Sequence, residues 1–199
     1  MIVFVAGTGT DVGKTYVTAA LVRRSNAGAW KPIVSGPSDD PTQIRAVAPP
    51  LYVFDPPISP HLAARQAGVI IDVARLAKRA SELTAQYTHF FVESAGGLFS
   101  PIDDRTTNLD LARAIGGSML LVAPNRIGVL HDIGATVRAA GITPVVALSD
   151  IEHPDASSTT NAAEIQRLGL ARAVVPFPRG ANAEQAADQC LNALGIKLS

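Results

Sequence analysis

The chain opens with Met1-Ile-Val-Phe-Val-Ala6, runs into Gly7-Thr-Gly-Thr-Asp-Val-Gly13-Lys14-Thr15, and continues as Tyr16-Val-Thr-Ala-Ala-Leu-Val-Arg-Arg24. The first segment is apolar and rich in β-branched and aromatic residues. It predicts a strand buried on both faces, as in the middle of a parallel sheet. The third predicts a helix with one apolar side and arginines in its last turn, where cations suit the helix dipole. The glycines between them let successive backbone N–H groups turn inward around an anion without Cβ clashes. The helix end behind adds unpaired donors and positive potential. Lys14 can reach the β- and γ-phosphates of a nucleotide, and Thr15 offers a hydroxyl to Mg²⁺. Strand, glycine loop, Gly-Lys-Thr and helix in this order predict a phosphate-binding loop. Its spacing departs from G-x-x-x-x-G-K-S/T. Thr8 stands where the first glycine is expected, and glycines occupy 7 and 9, a variant with one extra residue before Gly-Lys. A dinucleotide-binding turn would need glycine at position 12, which is Val12, and has no use for Lys14-Thr15.

A length of 199 residues suits one α/β domain with a substantial core. With 17 Lys+Arg against 17 Asp+Glu, nothing marks a nucleic-acid or membrane surface, so phosphate binding must be a local property. Cys190 is the only cysteine, which excludes an intrachain disulfide and suits a reducing compartment. The N-terminus lacks a basic leader, and no apolar run approaches the roughly 20 residues of a membrane span. The expectation is a soluble cytoplasmic protein.

Past the first helix, Ala29-Trp-Lys-Pro-Ile-Val34 predicts a second strand closed by Ser35-Gly-Pro37. Lys31 within it is either a strand-end lysine in solvent or a buried ammonium that meets an anion. Residues 38–47 predict a short helix with Asp39 or Asp40 as N-cap and Pro41 at its first position. Either carboxylate could instead face the phosphate and metal. Five prolines between 49 and 60 predict an extended surface excursion, followed by a helix over 61–66 that begins at His61, read as a first-turn residue. Apolar positions at 73, 76, 77, 80 and 83 predict a helix over 71–86 that covers the sheet. Residues 87–92 predict a strand ending in Glu93-Ser-Ala-Gly-Gly97, and an acid there, beside paired glycines, fits the metal side of an α/β ATPase site. Further strands are predicted at 118–123, 142–148 and 174–178, and helices at 108–115, 129–140, 161–168 and 183–194. This alternation requires a mostly parallel, doubly wound sheet with helices on both faces, three layers in all. Ligands then bind beyond the carboxyl ends of the strands.

Four stretches resemble the dethiobiotin synthetase family, ATP-dependent ligases of biotin synthesis built on the P-loop NTPase fold. They are Gly7 to Thr15, Trp30-Lys-Pro-Ile-Val-Ser-Gly36, Ser59-Pro-His-Leu-Ala-Ala64 and Phe91-Val-Glu-Ser-Ala-Gly-Gly-Leu98. Their order and spacing agree across nearly the whole chain. The resemblance implies that 7,8-diaminononanoate takes up CO₂ as a carbamate and that the carbamate attacks the γ-phosphate of ATP. The second amine then closes the ureido ring. It further implies catalytic roles for Lys14, Lys31 and Thr10, and Mg²⁺ held by Thr15, Asp40 and Glu93. ATP would be bound by Asp11, Val12, Gly13, Lys14, Thr15, Tyr16, Asp40, Glu93, Ser94, Ala95 and Gly96. Its base would lie against Ser149, Asp150, Pro176, Phe177 and Pro178. Ser35 would bind the substrate's carbamate end. Gly128, Val129 and Leu130 would hold its carboxylate from the partner subunit of a homodimer.

Two departures bear on nucleotide binding. Ser94 stands where the family usually has glycine, and is expected to narrow the turn at the phosphates. Ser149 stands where an asparagine usually reads the adenine edge, so weaker discrimination among triphosphates is expected. The competing reading is a nucleotide-switched regulatory ATPase of the partitioning or septum-positioning kind. Such proteins typically place an extra lysine early in the loop, where this chain has Thr8.

Overall fold

The computed structural model describes residues 1–150 and 152–197. Ile2–Gly7 (β1) leads through the glycine loop to Lys14–Ser25 (α1), and then to Gly28–Trp30 (β2) and Ile33–Ser35 (β3). Asp40–Gln43 (α2), Tyr52–Phe54 (β4), Pro60–Gln66 (α3) and Val73–Thr84 (α4) follow. The second half alternates regularly: Phe90–Gly97 (β5), Asn108–Ile115 (α5), Ser118–Pro124 (β6) and Val129–Ala140 (α6). It ends with Val145–Ser149 (β7), Asn161–Arg167 (α7), Ala173–Phe177 (β8) and Ala183–Leu194 (α8).

Six strands pair in the order β2-β5-β1-β6-β7-β8, and every pairing is parallel. The apolar opening of the chain thus lies inside the sheet. Successive side chains of a strand point to opposite faces, and β1 divides accordingly. Phe4 and Ala6 join one core with α4, α5 and α6, while Val3 and Val5 join the other with α1 and α8. The result is the expected three-layer α/β architecture. No described helix is long and apolar enough to cross a membrane.

The predicted strand over 29–34 is in fact two. Lys31 and Pro32 lie between β2, in the main sheet, and β3, which leaves it to pair with β4. Pro32 has no N–H to give a ladder; its carbonyl instead accepts from Leu51 N at 3.0 Å. Lys31 is therefore in a break, not within a strand. The proline-rich excursion is also less superficial than its composition suggests. In β4, Tyr52 and Phe54 are buried and Val53 is 64% exposed, the alternation of a strand with one face on the core. β5 begins three residues later than predicted and continues through Gly97. Its register against β1 shifts between Val5, opposite Glu93, and Gly7, opposite Gly97. The bulge leaves Ser94, Ala95 and Gly96 beside the glycine loop, so Glu93 lies within the strand and not at its end. β7 starts at Val145, because Pro144 cannot donate to the ladder.

Candidate active site

The loop between β1 and α1 is tight because its glycines leave no room. A Cβ on Gly7 would meet the Gly9 carbonyl oxygen and Val12 Cγ2, each at 2.7 Å. Thr8 needs no such freedom, and its N–H donates to the Val122 carbonyl at 3.0 Å. Asp11 and Gly13 both take left-handed backbone conformations, φ 56° and 92°. Gly13 is the N-cap of α1, and no side chain caps that helix end. Its first N–H groups are thereby left for an anion. Lys14 is buried, with Nζ donating to the Gly9 carbonyl at 3.3 Å. Burial, and then the charge of Lys31, hold its ammonium below the ordinary lysine range.

Lys31 enters the same space from the β2–β3 break. Only 5% exposed, it donates to Glu93 Oε1 at 2.7 Å and to the carboxylate of Asp40. Burial works against its charge, but Glu93 and Asp40 outweigh burial and raise its pKa above the usual lysine value. Burial likewise opposes ionisation of Asp40, and the Lys31 contact overcomes it, lowering that pKa. Glu93 is fully buried. Thr15 Oγ1 also donates to its Oε1, at 2.8 Å. Asp39 also lines the cavity, but its carboxylate accepts from the Gln43 side chain at 2.7 Å. Two buried polar atoms here have no partner among the described residues, Glu93 Oε2 and Ser35 Oγ. Buried polar atoms are rarely left so unless something else binds them.

Both lysines, with Thr10, Asp11, Ser35 and Asp40, line one cavity of about 740 Å³. Its far end is formed by Tyr16 and Arg179. The Tyr16 hydroxyl donates to the Pro178 carbonyl at 3.3 Å, and its ring meets Phe177 edge-on at 6.0 Å.

A family model described as an AAA domain matches residues 2–172. A curated relative named ATP-dependent dethiobiotin synthetase, from Anaeromyxobacter dehalogenans, is 33% identical over 98% of this chain and 97% of its own length. Another of the same name, from Caulobacter sp., is 37% identical over 80% of each chain. The chain belongs to the dethiobiotin synthetase family. Among solved structures, the cell division ATPase MinD of Pyrococcus furiosus aligns over 98% of both chains at 17% identity and TM-score 0.56. The MinC:MinD complex of Aquifex aeolicus aligns over 100% of this chain and 97% of that one, at 13% and 0.54. These last two establish the fold alone.

The remaining residues singled out by the synthetase resemblance divide by position. Val12, Gly13, Thr15, Ala95 and Gly96 line the cavity. Ser94 is fully buried, and its hydroxyl donates to the Gly96 carbonyl at 3.1 Å. Ser149 is 2% exposed and lies against the loop, its Oγ 2.4 Å from where a Cβ on Gly13 would sit. Phe177 is a core residue of β8, Pro176 is exposed, and Asp150 N donates to the Phe177 carbonyl at 3.0 Å. Gly128 caps α6, Val129 is buried in the core, and with Leu130 they stand at the start of that helix, apart from the cavity wall.

Thr15, Asp40 and Glu93 converge as one hydroxyl and two carboxylates, the hard oxygen donors that Mg²⁺ prefers. The orphaned Glu93 Oε2 adds a free acceptor. Among the described residues no group of three or more His, Cys, Asp or Glu gathers as a self-sufficient metal cage. That fits an ion completing its shell with phosphate oxygens and water.

Two residues escaped the sequence. Arg179 lines the cavity, with its guanidinium 5.5 Å from the centre of the Tyr16 ring. Asn108, read only as the first residue of a helix, sends Nδ2 to the carbonyls of Ala95 (2.7 Å) and Gly97 (2.8 Å) and fixes the turn after Glu93. No local pattern announces either contact.

Proposed function

We propose that this single-domain chain is an ATP-dependent ligase. It closes the ureido ring of dethiobiotin from 7,8-diaminononanoate and CO₂ through a carbamic–phosphoric anhydride. What supports the reading best is the meeting of Lys14 and Lys31 in one cavity beside Glu93. A phosphoryl group in transfer spreads charge over its equatorial oxygens, and pre-placed cations stabilise that charge at no reorganisation cost.

In the proposed sequence, one amine of the substrate takes up CO₂, loses a proton and becomes a carbamate. A carbamate oxygen attacks the γ-phosphorus and ADP departs. The second amine attacks the carbamoyl carbon, phosphate leaves with the C–O bond electrons, and the ammonium proton passes to solvent. The N–H groups at the start of α1 and Lys14 hold the phosphates. Lys31 sits between the γ-phosphate and the carbamate, with its charge secured by Glu93 and Asp40. Thr10 donates at the phosphoryl oxygens. Ser35, whose hydroxyl has no partner among the described residues, donates to the carbamate. Thr15, Asp40 and Glu93 would hold Mg²⁺, which would supply positive charge against the phosphates. The substrate carboxylate is held by Gly128, Val129 and Leu130 of a second copy, so the working unit is a cytoplasmic homodimer.

A regulatory ATPase shares this fold at 13–17% identity, but fold alone does not carry function. The deciding experiment is ATP turnover with and without diaminononanoate plus bicarbonate, with product mass measured. The ligase hydrolyses ATP in step with dethiobiotin formed. Turnover indifferent to both additions refutes the proposal.

A further inference from the structure

The cavity has two unlike ends. Lys31 follows β2 at one edge of the sheet and Arg179 follows β8 at the other, so Lys31, Ser35 and Asp40 mark one end and Tyr16 and Arg179 the other. Under the ligase reading, on which this inference rests, the γ-phosphate faces Lys31. The nucleotide then extends past the start of α1 towards Tyr16 and Arg179, and its base arrives there.

That end is organised to present a guanidinium. The Tyr16 hydroxyl is held twice, donating to the Pro178 carbonyl (3.3 Å) and accepting from Gly180 N (3.1 Å). Arg179 stacks over the Tyr16 ring at 5.5 Å, and its Nε donates to the Asp150 carbonyl at 3.4 Å. Stacking and a backbone anchor orient a planar fork. Ser149, the nearby hydroxyl, is turned onto Gly13 and buried. A guanidinium only donates. It matches a base edge that presents a ring carbonyl oxygen, as in guanine, uracil and cytosine. Adenine offers only ring nitrogens as acceptors, and its exocyclic amino group is itself a donor.

We propose that Arg179, carried on Tyr16, is a specificity-determining residue that accepts nucleoside triphosphates with carbonyl-bearing bases at least as well as ATP. The test is calorimetric titration of the full chain with the Mg²⁺ complexes of ATP, GTP, UTP, CTP and inorganic tripolyphosphate, repeated on Arg179→Ala. At least one of GTP, UTP and CTP binds as tightly as ATP. Arg179→Ala weakens that nucleotide about tenfold, the scale of a lost base contact, and leaves tripolyphosphate within about twofold. A general packing role for Arg179 would not separate the two probes. An ATP preference of about tenfold or more over all three others overturns the proposal. So does an equal loss for tripolyphosphate, which would place Arg179 on the phosphates. Failure of every nucleotide and of tripolyphosphate to bind removes the ligase reading itself, and this inference with it.

Discussion

Replacing Lys31 by methionine separates its electrostatic role from its bulk. The ammonium lies 2.7 Å from Glu93 Oε1. At an effective dielectric constant of about 20, that separation corresponds to about 6 kcal/mol of direct attraction, against which the desolvation of both groups must be set. What the variant leaves behind decides the outcome. Glu93 would keep one hydrogen bond, from Thr15, with Oε2 still unpartnered and no access to solvent. Stranding a buried charge in this way costs about 3–5 kcal/mol, which is about 6–20 °C of melting temperature in a chain of this size. Adding Glu93→Gln removes the stranded charge while keeping an acceptor for Thr15, so Lys31→Met/Glu93→Gln recovers at least about half of the loss. The assay is urea and thermal unfolding in EDTA without nucleotide. The sign of the pH dependence follows from the two shifted groups. Lys31 has a raised pKa, so its contribution is complete below about 10.4 and is lost as pH rises through the folded value. Asp40 has a lowered pKa, so its contribution is complete above about 3.9 and is lost as pH falls through the folded value. The gap between parent and Lys31→Met therefore closes at both extremes of pH. A single variant within about 0.5 kcal/mol of the parent, or a double variant no better than the single, would refute a buried, dry ion pair.

Gly13→Ala combines a left-handed φ of 92° with a Cβ placed 2.4 Å from Ser149 Oγ. It loses about 2 kcal/mol or more in urea unfolding, and Ser149→Gly recovers only the steric part; full recovery would show that the dihedral costs nothing. Burial pushes the Cys190 thiol up to about 12. The native protein therefore resists thiol reagents, and labelling tracks global unfolding as urea rises; rapid labelling without denaturant would contradict its buried placement.

What the sequence disclosed was local. β1, its glycine loop and α1 were legible because strand, loop and helix are consecutive and each has its own pattern. α5, α6 and α8 fell within their predicted bounds because caps and apolar spacing sit inside the segment. The break at Lys31-Pro32 was not legible: β3 leaves the sheet to meet β4, a partner 19 residues onward, and only that pairing splits the run. Asp39 and Asp40 are equivalent as sequence. They differ only because the start of α2 aims one at Lys31 and the other at Gln43. Ser149 was legible as a departure, but its orientation depends on how closely Gly13 approaches. Asn108 and Arg179 act across 11 to 163 residues of chain, through contacts that leave no periodic trace.

The charges of the cavity state a requirement. Lys14, Lys31 and Arg179 line it, but so do Asp11, Asp39 and Asp40, and Glu93 stands directly behind Lys31. The wall has no net positive charge, and the start of α1 adds only about half a unit. A triphosphate bearing about four negative charges at neutral pH cannot be held by so balanced a wall alone. A divalent cation would be the largest charge in the site. Chelation with EDTA should therefore weaken ATP binding by about 3 kcal/mol or more, a factor above about 100, as read by calorimetry and independently of turnover. Asp40→Asn sharpens the test. If Asp40 is a metal-side ligand, its loss weakens ATP binding in Mg²⁺, yet strengthens the residual binding in EDTA, where the carboxylate only repels phosphate. Movement of both affinities in the same direction would mean that Asp40 serves Lys31 alone, and the metal assignment would then rest on Thr15 and Glu93.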